Sequence, residues 1–173
     1  MCNFTIRKSL FTILDKTNDI EDITNDIEDI TNDIEDMKPN ITFTTERKFT
    51  QAQVEELFCS IHWVSGNYPQ QLYQALLHSS FVLTAWDEER LVGLVRGLDD
   101  GGMTAFLHYL LVSPDYQHQG IASQLVEQAK EHYRSYFYIN VMPEESCNAT
   151  FYQRHGFELM PDGVAMQICN KNF

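Results

Sequence analysis

Cysteine is scarce in this sequence, and long hydrophobic runs are missing from it. The four cysteines stand far apart, at positions 2, 59, 147 and 169, with no CxxC pair and no Cys/His ligand spacing. We therefore expect neither a metal site nor a disulfide framework. No run of roughly 18 apolar residues could span a membrane, and the start lacks an apolar leader with a small-residue cleavage site. These absences predict a protein of a reducing compartment, and we expect it in the cytoplasm.

Positive charge is also scarce. The chain of 173 residues has 12 Lys and Arg residues against 25 Asp and Glu residues, which gives a formal net charge of −13. Nucleic acids require a positive surface that neutralises phosphates, and anionic membranes attract the same kind of patch. We therefore expect neither a nucleic acid nor a membrane as a partner. With 43% hydrophobic residues the chain can still build a core, and its length suits a single domain.

About half of the negative charge lies in the first 37 residues, which hold three basic and ten acidic side chains. From Thr17 this segment reads TNDIEDI, TNDIEDI and TNDIEDM, three copies of one heptad whose apolar residues are alternately three and four positions apart. This spacing is typical of a coiled-coil seam, and isoleucine at both seam positions favours trimers or tetramers. The repeat therefore predicts an acidic helical extension and a possible homo-oligomer.

Other features of the repeat oppose a stable helix. Each heptad contains Asp, Asn and Thr, which are poor helix formers, and carries three negative charges without a positive one. One alternative is that the repeat is an acidic low-complexity tract. Another is that the domain itself starts at Met37 and that the residues before it are an optional extension. We expect the boundary at this point, with an extension over residues 1–37 and one domain over 38–173.

After Pro39 the hydrophobic pattern changes to that of a mixed α/β domain. Thr50 and Gln53 form a capping box, and Pro69 suits the first turn of another helix. Together with apolar spacing, these signals predict four helices, which begin after Thr50, at Pro69, at Ile121 and at Cys147. Alternation and apolar runs predict strands at Ile41–Thr45, Phe81–Trp86, Leu91–Leu98, Thr104–Val112 and Tyr136–Val141, and two weaker ones at Phe157–Met160 and Val164–Ile168.

A short loop between a strand and a helix has the composition of an anion site. It reads SPDYQHQGIA over residues 113–122, and it leads into the helix that begins at Ile121. The first amides of a helix have no partner within it, and the helix dipole adds a partial positive charge there. Gly120 allows the backbone to approach a pyrophosphate closely, and the small Ala122 keeps the first turn uncrowded. Such a site uses backbone donors, so even an acidic protein can bind a polyanion.

Two segments of the chain resemble the GNAT superfamily of N-acetyltransferases. Leu110–Gln124, with Gln117, Gly120 and Ala122 at the defining positions, is similar to its acyl-CoA-binding motif, and Phe151–Phe157 resembles its late FYxxxGF segment. The resemblance covers roughly residues 41–168. It implies an α/β (α+β) fold with a mixed, mostly antiparallel central sheet flanked by helices. It also implies binding of acetyl-CoA as co-substrate through Leu111, Val112, Gln117, His118, Gln119, Gly120, Ile121, Ala122, Ser123 and Asn148.

The reaction that this resemblance implies is direct transfer of the acetyl group from acetyl-CoA to a primary amine. Tyr152 matches the family tyrosine that protonates the departing thiolate, and a phenol with an ordinary pKa near 10 stays protonated at neutral pH. His108 stands on the strand where related members often carry an acidic residue, and a histidine can act as the base directly or through water. Core packing of Tyr152, a structural His108 and purely water-mediated deprotonation are the alternatives.

The sequence gives weaker indications of the amine that accepts the acetyl group. Trp63, Tyr68 and Tyr73 flank the first two helices, and Asp99 and Asp100 lie at a strand end. These residues would suit a small cationic amine, although helix packing and an ordinary acidic turn explain them better. The leading hypothesis is an acetyltransferase acting on a small-molecule amine. A peptide or protein N-terminus is the rival acceptor, and a non-catalytic CoA-binding or interaction protein is the alternative from another class.

Overall fold

A computed structural model describes residues 39–170, so the acidic heptads lie outside the described residues. The described part contains a five-stranded sheet in the order β1–β2–β3–β4–β5, in which neighbouring strands are antiparallel except for the parallel pair β4–β5. The strands are β1 (Ile41–Thr44), β2 (Phe81–Asp87), β3 (Arg90–Asp99), β4 (Thr104–Val112) and β5 (Tyr138–Val141). This arrangement confirms the expected mixed, mostly antiparallel sheet.

Four α-helices accompany the sheet in the described part of the chain, and local chemistry explains where they begin. They are α1 (Gln51–Ser60), α2 (Pro69–Leu77), α3 (Ile121–His132) and α4 (Ala149–Arg154). At α1 the predicted capping box is formed in both directions between Thr50 and Gln53. Pro69 occupies the first turn of α2, and Gly120 precedes α3 in the left-handed conformation, with φ of 83°. No helix among residues 39–170 is long and apolar enough to span a membrane.

The sheet separates two hydrophobic cores. On one face, Ile121, Leu125 and Ala129 of α3 pack against inward residues of β2, β3 and β4. On the other face, α1 and α2 cover the sheet through residues such as Phe58 and Leu76. Burial on both faces explains why β2, β3 and β4 read as nearly continuous apolar runs. Successive residues of β4 lie on opposite faces of the sheet, so their side chains contribute to different cores.

The parallel pair β4–β5 is short, and this leaves part of β4 without a neighbour on that side. The ladder runs only from Thr104, opposite Tyr138, to Leu107, opposite Val141. Beyond Leu107 the strand β4 continues for five residues to Val112. The backbone of this last half therefore has unpaired polar groups directed to the gap beside β5, where an extended ligand can bind.

The two weaker strands predicted at Phe157–Met160 and Val164–Ile168 are wrong. Both segments are irregular, and a turn closed by a hydrogen bond from the amide of Gly163 to the carbonyl of Met160 separates them. The apolar side chains of the second segment are 81% to 89% exposed. An apolar pattern shows which side chains a strand could bury, but a strand also needs a neighbouring strand to pair with. These two segments have none in the described part of the chain, so the pattern alone predicted strands that do not form.

Candidate active site

A β-bulge in the sheet brings polar and aromatic side chains together on the α1 side. The β3–β4 ladder changes register so that one residue of β3, Arg96, lies opposite two residues of β4, His108 and Tyr109. Leu107 accordingly packs on the α3 side, and Tyr109, only two positions later, packs on the α1 side. An extra residue in one strand re-aims the side chains around it, and such bulges are frequent beside active sites. His108 thus lies at the bulge, opposite Arg96.

His108, the predicted base, lies beside a positive charge. Its Nδ1 is 3.4 Å from Nη1 of Arg96, and its ring centroid is 4.2 Å from that of Tyr109. The residue is exposed, yet the protein around the ring and then the charge of Arg96 lower the pKa of His108 below its ordinary value. The imidazole is therefore neutral at physiological pH, which is the form that can accept a proton.

Aromatic rings form a wall next to the bulge. The rings of Trp63 and Phe58 lie 5.7 Å and 5.0 Å from that of Tyr109, whose hydroxyl is 3.2 Å from the Oγ of Ser65. Of the aromatic residues predicted to form an acceptor pocket, Trp63 is part of this wall. Tyr73 is not, because its ring packs edge-on against Phe49, with centroids 6.1 Å apart.

The acidic turn predicted to attract a cationic amine is occupied by donors of the protein itself. Asp99 accepts hydrogen bonds from the hydroxyls of Tyr133 at 3.0 Å and Tyr136 at 3.1 Å, while Asp100 accepts three backbone amides of its own turn. Although burial opposes the change, the bonds from Tyr133, the amide of Gly101 and Tyr136 lower the pKa of Asp99. Both carboxylates stabilise the turn, and the geometry gives them no separate role toward a substrate.

The loop before α3 presents the backbone donors that the sequence predicted. The first intrahelical bond runs from the amide of Gln124 to the carbonyl of Gly120, so the amides of Ile121, Ala122 and Ser123 precede the hydrogen-bonded turns. A Cβ placed at Gly120 would meet nothing within 4 Å, so the space in front of the loop is open. This donor set fits a pyrophosphate, which accepts amide hydrogen bonds and is attracted by the helix dipole.

The other predicted cofactor-binding residues of the loop fall into two groups. Gln117, His118 and Gln119 are exposed, and the side-chain amide of Gln117 donates to the carbonyl of Val112 at 3.1 Å, which closes the loop onto β4. The side chains of Leu111 and Val112 are buried in opposite cores. Neither side chain is therefore open to a ligand in the β4–β5 gap.

Sequence reasoning missed a polar cluster that joins α3 to α4. Nε2 of His155 lies 3.1 Å from the Oγ of Ser123, and its Nδ1 lies 2.8 Å from a carboxylate oxygen of Glu127, which also accepts from Lys130. These hydrogen bonds, first that of His155 and then that of Lys130, lower the pKa of Glu127. The four-residue spacing of Ser123 and Glu127 on one helix face was the signal available in the sequence.

Tyr152, the predicted acid, lies on α4. It is half-buried, its ring packs near Phe151 and Phe157, and burial raises its pKa to about 12. Its hydroxyl makes no hydrogen bond to residues 39–170, so it is available to a ligand. Asn148 precedes α4 but is exposed and does not cap it through its side chain. The described contacts do not join Tyr152 to His108.

The sheet with its short parallel pair β4–β5, and the loop that opens α3, define an acetyltransferase of the GNAT fold. The sequence model of the acetyltransferase (GNAT) domain matches residues 78–159. A GNAT family acetyltransferase of Streptococcus pneumoniae is 30% identical, and the alignment covers 76% of this chain and 99% of that one with a TM-score of 0.66. This chain therefore belongs to the GNAT family of acetyltransferases, which confirms the resemblance and makes the protein an acyltransferase.

Two curated relatives agree with this assignment. An uncharacterised N-acetyltransferase, ycf52, of Porphyra purpurea is 29% identical over 120 residues, which cover 65% of this chain and 67% of that protein. The chloroplastic GCN5-related N-acetyltransferase 2 of Arabidopsis thaliana is 33% identical over 78 residues, 44% of this chain and 30% of that protein. Members of the GNAT family generally use acetyl-CoA.

Proposed function

We propose that this chain transfers the acetyl group of acetyl-CoA to the primary amine of a small molecule by direct attack. The observation that carries the proposal is the division of β4. The strand is paired with β5 up to Leu107, and the β-bulge at His108 follows beside the aromatic wall. After His108 the strand has no neighbour on the β5 side among residues 39–170, and it leads to the loop whose amides open α3. One strand therefore links a surface for an acceptor to a surface for the cofactor.

The cofactor surface is assigned to the β4–β5 gap and to the loop. The amides of Ile121, Ala122 and Ser123 would hold the pyrophosphate, and the open space before Gly120 allows its close approach. The polar backbone groups of β4 beyond Leu107 that are not paired with β3 would bond to an extended arm, as a further strand does. When bound, acetyl-CoA supplies the activated acetyl group as a thioester.

The chain's own residues then handle two protons. Neutral His108 takes a proton from the ammonium form of the acceptor, directly or through a water, so that the nitrogen has a free electron pair. The N–C bond to the acetyl carbon forms while the C–S bond breaks. Tyr152, protonated because burial raises its pKa to about 12, donates its proton to the thiolate that departs. The acetylated nitrogen loses its second proton to solvent, and a proton from solvent restores the phenol.

A thiol-release assay tests this function with the full chain, acetyl-CoA and a panel of small primary amines. We expect CoA to be released in proportion to an acetylated amine identified by mass. Binding of acetyl-CoA without turnover of any amine would refute catalysis of this reaction. Turnover confined to peptides with a free N-terminus would move the acceptor to that class. His108→Gln should lower the rate, while His78→Gln, at an exposed histidine at the end of α2, should not.

A further inference from the structure

The guanidinium of Arg96 is a partly buried positive charge without a carboxylate partner in the described part of the chain. Its Nε donates to the Oγ of Ser79 at 2.7 Å, its Nη1 lies 3.4 Å from Nδ1 of His108, and its Cζ lies 5.3 Å from the ring centroid of Tyr109. None of the ion pairs among residues 39–170 includes Arg96. The charge is thus held in place by neutral groups only.

Such an arrangement is costly unless an anion completes it. Burial lowers the pKa of Arg96, which shows that the protein around the guanidinium disfavours its charge. Charged groups removed from water are normally paired, because the attraction of a counter-ion offsets the loss of hydration. Arginine has five N–H donors; the contacts to Ser79 and His108 use two of them, and the side chain of Tyr109 also interacts with the guanidinium. Donors on the terminal nitrogens stay available for a ligand.

The position of these donors indicates which ligand would use them. Arg96 lies in the bulge directly opposite His108, on the face with the Trp63 and Tyr109 wall, so its free donors border the surface assigned to the acceptor. The planar fork of a guanidinium matches the two oxygens of a carboxylate better than it matches any neutral group. The carboxylates of Asp99 and Asp100, the nearest acidic turn in the sequence, are already engaged elsewhere.

We propose that the acceptor amine also carries a carboxylate, that Arg96 binds this carboxylate, and that the amino group then lies beside His108. The acceptor is therefore an amino acid or a compound of that type rather than a simple cationic amine. This inference rests on the proposed function, since it names the class of amine that the enzyme acetylates. Ser79 is a positioning residue in it: its hydroxyl donates to the carbonyl of Ala75 at 2.6 Å and accepts from Arg96, which fixes the guanidinium.

Matched pairs of amines test the proposal in the full-length enzyme. Each pair differs only by the carboxylate, as phenylalanine and 2-phenylethylamine do, or tryptophan and tryptamine. In at least one pair we expect kcat/KM to be about tenfold or more higher for the carboxylate-bearing member, the effect of a charge-assisted hydrogen bond. Decarboxylated members that react as well or better in every pair would overturn the inference while leaving the acetyltransferase proposal intact. No turnover of any amine, with acetyl-CoA bound, would instead refute the proposed function.

Variants of Arg96 connect this preference to the guanidinium. Arg96→Met should remove most of the preference, and Arg96→Lys, which keeps the charge without the fork, should retain part of it. Both should bind acetyl-CoA as the wild type does, since the cofactor loop lies elsewhere on the sheet. If Arg96→Met does not fold, inhibition of the wild type decides the matter. 3-Phenylpropionate, which has the carboxylate but no amine, should compete with the amine substrate, and its neutral amide should not; equal inhibition by both would overturn the proposal.

Discussion

Nε2 of His155 lies 3.1 Å from the hydroxyl oxygen of Ser123, a residue 32 positions earlier in the chain. The other ring nitrogen is bonded to Glu127, so one imidazole directly after α4 joins two residues of α3. Ser123 stands in the turn whose amides face the proposed cofactor, and α4 carries Tyr152. The bridge thus holds the cofactor loop and the proposed acid in a fixed relation.

Removal of this bridge should weaken both stability and cofactor binding. We expect His155→Ala to lower the free energy of unfolding by about 1 kcal/mol, the contribution of a typical hydrogen bond in a half-buried site. The KM for acetyl-CoA should rise, because the first turn of α3 loses its support. Denaturant unfolding and steady-state kinetics measure the two effects. His78→Ala is the matched control at an exposed histidine, and a His155→Ala enzyme identical to it in both respects would contradict a positioning role.

The carboxylate of the bridge gives a pH-dependent prediction. His155 and Lys130 lower the pKa of Glu127 in the folded protein, so the carboxylate stabilises the fold above its ordinary pKa, and this contribution is lost as the pH falls through the lowered value. Glu127→Gln should therefore destabilise the protein at pH 7 and have no effect in strong acid. Because the side chain is 54% exposed, the loss at pH 7 should stay below about 1 kcal/mol.

Thermal unfolding across this pH range compares Glu127→Gln with Glu131→Gln. The second variant removes a carboxylate of the same helix that is 70% exposed and pairs with Arg134. We expect a smaller change of melting temperature for it at every pH. A Glu127→Gln variant whose destabilisation is the same at pH 3 and pH 7 would show that its carboxylate charge is not what stabilises the helix pair.

Tyr152→Phe tests the proposed acid. The hydroxyl makes no hydrogen bond to the described residues, so its removal should leave stability and the KM for acetyl-CoA nearly unchanged. If the phenol protonates the thiolate, kcat should fall by about 100-fold, as is common for the loss of a general acid. Tyr138→Phe removes a hydroxyl of a 63% exposed tyrosine on β5 and should have the wild-type rate. An unaltered kcat in Tyr152→Phe would remove Tyr152 from the mechanism.

Much of the fold follows from short-range chemistry in the sequence. The capping box of Thr50 and Gln53, Pro69 at the start of α2 and the apolar run of β4 act within a few residues, and each element is found where these signals predicted it. The segment 157–168 has an equally plausible strand pattern but no neighbouring strand in the structure. A strand needs a partner, and hydrophobic alternation does not specify one.

The candidate site likewise contains residues that local sequence could predict and residues that it could not. The loop Gln117–Ser123 could be predicted because one local segment contains both its glycine and its helix start. Arg96 and His155 could not, because strand pairing brings Arg96 to His108 across 12 residues and helix packing brings His155 to Ser123 across 32. The bulge that sets Arg96 opposite His108 depends on the register of two strands, and no residue type in this sequence marks it.

Gly97 on β3 should tolerate no side chain. A Cβ placed there would lie 2.3 Å from the hydroxyl oxygen of Tyr133, which is fully buried and donates to Asp99 at 3.0 Å. Because Tyr133 cannot move without loss of that bond and of its packing, Gly97→Ala should cost about 1–3 kcal/mol in denaturant unfolding. At Gly102 a Cβ would meet nothing within 4 Å, so Gly102→Ala should change stability by less than about 0.5 kcal/mol. Equal effects of the two substitutions would contradict this packing.

The titration of His108 should depend on Arg96. Burial first, and then the charge of Arg96, lowers the pKa of His108, so we expect the free enzyme to titrate below the ordinary value of about 6.5 in an NMR experiment on its imidazole. Arg96→Met removes the charge and leaves the burial, so the midpoint should rise part of the way back. A base must be neutral to accept a proton, and the acid limb of the rate profile should therefore move to higher pH with it.

A comparison of the His108 midpoint in two Arg96 variants distinguishes an effect of the Arg96 charge from an effect of lost structure. Arg96→Lys keeps a positive charge near the ring and should keep most of the lowered pKa, whereas local unfolding would move both variants equally toward the value of an exposed histidine.

The tautomer of His108 also depends on Arg96. Neutral His108 accepts from Arg96 at Nδ1, which leaves a hydrogen on Nε2, so uptake of a proton at Nε2 requires the other tautomer and loss of the 3.4 Å contact. A carboxylate-bearing acceptor that binds the guanidinium would weaken its contact with His108 and favour that tautomer. Addition of such an acceptor should then raise the His108 midpoint in the wild type but not in Arg96→Met.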